Sequence, residues 1–181
     1  MLKKLLKIMV FTLLTYLLQA TTALRLSLWD VAPNIALAFI AIVSVGLGRK
    51  YTFFMSLTVG YLLEIMLRVL SYMNLILYPV CAMLGALAFS DKSERRLEED
   101  RSAGKQRKTL NAHLRTPLCA MLSVSVFEGV HLMYIYLNGV TLDSGHFLRA
   151  LIAILYSTAI AAVFQFPVRW WLGVYKVKKA A

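Results

Sequence analysis

The chain has 181 residues, 60% of them hydrophobic, and a mean hydropathy of +0.68. A soluble domain of this length has no use for so much apolar surface, whereas a membrane protein needs about 20 apolar residues per crossing. The lysines and arginines number 20 against nine acids, for a net charge of +11. They cluster in the gaps between apolar runs, as in cytoplasmic loops of membrane proteins. No aromatic-interleaved polar strand pattern or zinc spacing accompanies them, which argues against nucleic acid as a partner. Cys81 and Cys119 lie in or beside apolar runs and read as reduced, packed residues. The simplest organisation is one all-α transmembrane domain over residues 1–181, a polytopic bundle of about six helices with a charged cytoplasmic loop at 90–115.

In chain order, the basic start MLKKLLK leads into an apolar run at 8–24, the first expected span. A signal peptide has the same layout, with Thr21-Thr22-Ala23 as a weak small-residue site. The span is the better reading because the run is nearly long enough to cross. A short polar link follows, with Trp29 as an interface anchor. The second span is expected over 31–47, with Asp30 as its N-cap and Pro33 in its first turn. Gly46, Gly48, Arg49 and Lys50 end it in a tight basic turn, which makes spans two and three antiparallel neighbours.

Span three covers 51–70 and span four 75–89. Pro79 either kinks the fourth or marks its first turn, and Gly85 offers a close-packing position. In the polar segment 90–115, Lys105, Arg107, Lys108 and Arg115 form a polybasic juxtamembrane run that faces lipid. Anionic lipid attracts such a run by about 1 kcal/mol per basic residue. A solvated, topology-setting loop is the simpler account of it. Span five is expected over 116–137, opening at Pro117, and span six over 147–172 with Trp170 and Trp171 at the interface. With the N-terminus inside, six spans leave only Arg25, Arg68 and Arg149 on the outer side. Lysine and arginine bias therefore predicts both termini in the cytoplasm.

Two spans carry acids. Glu64 precedes Arg68 by four residues, which puts both on one helix face, and Gly60 lies one turn earlier on that face. A carboxylate at membrane depth costs about 2.5–3.5 kcal/mol, so it faces protein or water. Glu128 and His131 are three apart on span five. Spans three and five run the same way, which sets the two carboxylates at similar depth in the outward half. They suit either a proton or cation path or a fixed polar knot between helices. The knot is favoured, because only two acids are present and no relay residues line up with them. The sequence has no HExxH, GxSxG, P-loop or DxD-type cluster, and His113, His131 and His146 are far apart. No catalytic residue, metal or cofactor is expected.

Four stretches carry a family resemblance. Leu17-Leu18-Gln19 ends span one and Pro33-Asn34 opens span two; Gly48-Arg49-Lys50 makes the turn, and Gly60-Tyr61-Leu62-Leu63-Glu64 follows. This order resembles MreD, the membrane subunit of the bacterial rod-shape system, with glutamate where that family usually has aspartate. The resemblance implies a non-enzymatic scaffold in the bacterial plasma membrane. Its partners would be lipid, an MreC-like bitopic protein and, through it, MreB filaments and wall synthases. Together with the helical spacing that places Arg68 and His131 beside the two acids, it makes Pro33, Asn34, Gly60, Glu64, Arg68, Glu128 and His131 candidate interaction residues. The family's bundle is similar to the S-component fold of energy-coupling-factor transporters, which supplies the rival expectation, a vitamin-binding transport subunit. The outer links are short and hold few polar groups, which favours the scaffold.

Overall fold

The computed structural model describes residues 2–22, 25, 27, 31–67, 72–89 and 110–173. Among them the chain is all-helical. Helix α1 (Leu2–Leu17) runs on into a π-helical turn, Leu18–Thr22. Then come α2 (Ile35–Leu47), α3 (Arg49–Leu67), α4 (Met73–Phe89), α5 (Ala112–Leu137) and α6 (Ser144–Leu172).

Helix α2 is the hub. It packs against all five other helices, and these close a ring around it in the order α1, α3, α4, α5, α6. Its sequence explains the position. Every residue from Ile35 to Val45 is apolar except Ser44, and every one is buried. A helix that is hydrophobic all round has no face to give to solvent and belongs in a core. At 1.5 Å per residue it is only about 20 Å long, shorter than the roughly 30 Å hydrocarbon layer.

The start of α2 corrects one expectation. The N-cap is Asn34, not Asp30, and Pro33 lies before the helix rather than in its first turn. Proline disfavours helical backbone in the residue ahead of it, here Ala32, so no helix runs in from before Pro33. Asn34, with ψ of 81°, leaves the helical region and caps the helix that starts at Ile35. At the other end Gly48 takes a positive φ of 89°, which glycine adopts without steric cost, and its N–H donates to Ser44 O at 3.1 Å. Helix α3 starts at the next residue, so α2 and α3 turn back on each other, as the Gly-Arg-Lys run predicts.

Two helix crossings depend on glycine. A Cβ on Gly60 would lie 2.7 Å from Asn74 O and 3.3 Å from Tyr78 Cβ, so α3 and α4 meet there. A Cβ on Gly85 would run into Ser123 Oγ and sit 3.1 Å from both the carbonyl and the sulfur of Cys119, which locks α4 to α5. Gly129 differs: a Cβ there meets nothing within 4 Å, so this glycine supports no helix contact. Pro79 lies inside α4 and Pro117 inside α5, each past the first turn.

Apolar residues fill the core and also cover the outside of the bundle. Large apolar side chains point outward all round the ring, among them Leu6, Phe54, Ile76, Leu151 and Val163, each more than half exposed. Thr15, Ser44, Thr52, Ser56, Thr116 and Ser157 are fully buried. Several of these hydroxyls return to their own helix. Thr15 donates to Phe11 O at 2.7 Å and Ser157 to Ala153 O at 2.7 Å. Such bonding keeps a polar group satisfied where no water reaches it. Helices α5 and α6 are each long and apolar enough to cross a membrane by length and composition.

Candidate functional site

The first amides of a helix have no partner within it. Helix α2 is buried, so other parts of the protein must supply acceptors. The Asn34 side chain accepts from Leu37 N at 3.0 Å, and Gln19 Oε1 accepts from Ala36 N at 3.0 Å. The Asn34 amide donates to Ser157 Oγ at 2.8 Å, and the Tyr78 hydroxyl donates to Asn34 Oδ1 at 3.4 Å. The α1 extension, α4 and α6 thus converge on the start of α2 through one side chain each. Pro33 and Asn34 are both buried in this knot.

Glu64 makes a second junction beside it. Its Oε2 accepts from Asn74 N at 2.9 Å, in the first turn of α4. Gly60, one turn earlier on α3, brings the α4 backbone within reach. A carboxylate at a helix N-terminus is favoured by the aligned peptide dipoles, by roughly 0.3–1 kcal/mol and more when partly buried. Glu64 therefore has a partner on another helix. Arg68, its expected counter-charge, lies outside the described residues.

Glu128 behaves differently. It lies on the buried stripe of α5, one turn after Val124 and two after Ala120, and is itself only part-buried. The neighbouring Phe127 ring meets Tyr78 edge-on with centroids 5.3 Å apart. Among the described residues no hydrogen bond or ion pair reaches Glu128 or His131. His131 is exposed. Glu64 and Glu128 thus have separate surroundings, one bonded to α4 and the other part-buried with no bonded partner among the described residues.

At the opposite end, Arg115 departs from its expected place. It is buried in the first turn of α5 and donates to Phe89 O, the last residue of α4, through Nε at 2.9 Å and also through its terminal nitrogen. Arg115, Cys119 and Ser123 recur every four residues, all buried, so the arginine belongs to a core-facing stripe and not to a lipid-facing loop. Lys105, Arg107 and Lys108 lie outside the described residues. Arg169 is buried as well and donates to Thr116 Oγ1. His113 stacks on Phe166 at 5.2 Å, and His146 closes the capping box at the start of α6 with Asp143. Cys81 and Cys119 are free and buried. Among the described residues, no group of three or more His, Cys, Asp and Glu could hold a metal ion.

Tyr78, Ser157 and Arg169 carry much of this network and are not singled out by motif. Ser157 and Arg169 do leave a trace: Ala153, Ser157, Ala161, Gln165 and Arg169 recur every four residues along one face of α6. Comparison with protein-family models, curated proteins and solved structures finds no significant match to this chain.

Proposed function

We propose that this chain is an integral membrane scaffold of the MreD kind. It crosses the bacterial plasma membrane six times with both termini in the cytoplasm, and couples an MreC-like bitopic protein to the cytoskeleton and wall synthases. The observation that carries the reading is where the resemblance residues act. Asn34, Gly60 and Glu64 all work between helices, at the start of α2 and at the crossing of α3 with α4. A side chain used in this way builds a rigid body that presents faces to partners. The outward apolar side chains support the membrane setting. The short α1, α2 and α4 are consistent with six crossings when packed together, since backbone within the membrane is tolerated where protein buries it.

Affinity purification from native membranes in mild detergent, with mass spectrometry of stoichiometric partners, tests the proposal. Recovery of a single-span protein with a large extracytoplasmic domain, together with wall synthases, supports it. Recovery of a coupling membrane subunit with paired ATPases overturns it in favour of a vitamin-binding transport subunit.

A further inference from the structure

Glu128 is the one candidate carboxylate that the helix network does not use. It is part-buried on α5, within an apolar helix, and no described residue bonds it or neutralises it. A carboxylate in such a place is retained where a positive or donor group meets it. An acid left without a partner calls for a cation that also donates hydrogen bonds, and lysine and arginine are the side chains that supply both.

Beyond Glu128 the helix loses its cover. Residues 129–131, 133–134 and 136–137 are all exposed, including the apolar Val130, Met133 and Leu137, and the space over Gly129 is empty. A turn after Glu128, His131 and Ile135 continue its face outward. The acid thus lies at the inner end of an apolar, uncovered helix face. A soluble cation has no use for that apolar surface, whereas a membrane helix carrying a basic residue fits both parts.

We propose that the outer third of α5 is the docking face for a partner's transmembrane helix, and that Glu128 receives a lysine or arginine presented by that helix. The inference rests on the scaffold reading, because it names the face used by the single-span partner. The charge pair fixes the depth and rotation of the partner helix, and the apolar face supplies the contact area.

The test co-expresses the full chain with the host's MreC-like single-span protein and measures its recovery in mild detergent. Glu128→Gln is expected to lower recovery at least tenfold with expression and thermal unfolding unchanged, and Glu128→Lys to abolish it. Replacing the basic residue in the outer half of the partner helix by glutamate should restore recovery with Glu128→Lys and not with the wild type. His131→Trp, on the exposed continuation of the same face, should also block recovery, and it keeps the test decisive where Glu128→Lys does not fold. Equal recovery in all variants overturns this inference and leaves the scaffold reading intact. Failure of the wild type to recover the single-span protein overturns both. A benzophenone side chain at position 131 that crosslinks to a second copy of this chain instead also overturns the inference.

Discussion

Glu64 and Asn74 join α3 to α4 by a bond from side chain to backbone, with Oε2 2.9 Å from the Asn74 amide. The contact exists because Gly60, a turn earlier, lets the two backbones approach. Removing the carboxylate leaves a helix-terminal amide without its acceptor, a loss of about 1–3 kcal/mol. Glu64→Ala should therefore lower thermal stability in detergent. Glu64→Gln, which keeps an acceptor oxygen, should lose less. Unfolding monitored by size-exclusion chromatography after heating measures both, and equal losses would show that charge rather than the bond is what matters.

The glycines separate packing from mere composition. Gly60→Leu and Gly85→Leu force side chains into the α3–α4 and α4–α5 crossings, where overpacking costs roughly 1–3 kcal/mol or more. Gly129→Leu enters open space and should leave the yield of folded protein unchanged. Comparing monodisperse yields of the three variants checks this, and a Gly129→Leu defect as large as the others would contradict the packing.

Asn34 serves as N-cap to the central helix and also bonds α4 and α6. Asn34→Ala removes a cap worth about 0.5–2 kcal/mol and leaves polar groups buried without partners. Asn34→Asp keeps the acceptor for Leu37 N and for the Tyr78 hydroxyl and should retain more stability. Tyr78→Phe should cost less than Asn34→Ala, because it removes one long bond of 3.4 Å. Thermal unfolding of the three variants ranks them.

Arg115 closes the end of α4 through the Phe89 carbonyl. Arg115→Lys keeps the charge and loses the planar fork that reaches one oxygen with two nitrogens. Arg115→Lys should therefore destabilise the fold nearly as much as Arg115→Ala, by about 1.5–3 kcal/mol for bonds to a charged group. A lysine variant as stable as the wild type would return Arg115 to the topology-setting role that its sequence position suggests.

Much of this architecture is legible from the sequence because glycine, proline and charge act locally. The turn at Gly48, the crossings at Gly60 and Gly85 and the cross-helix use of Glu64 follow from residue type and helical spacing. The central place of α2 does not: an all-apolar run says that a helix is buried, not that five others surround it. Arg115 misleads because it adjoins a charged loop, while its four-residue spacing with Cys119 and Ser123 places it in the core. Gly129 shows the limit of residue type alone, since a small residue marks a crossing only where another helix arrives. The bond of Tyr78 depends on tertiary approach and carries no local signal, while Ser157 shows in the sequence only through its four-residue recurrence along α6.

The most direct test of the proposed scaffold is depletion of the protein in its native host, with cell width and the pattern of new wall insertion followed by fluorescent labelling of peptidoglycan. The account predicts that cells widen and round as insertion along the side wall fails, and that wild-type protein restores both. Unchanged shape and wall insertion, with a fall in uptake of a vitamin, would contradict it.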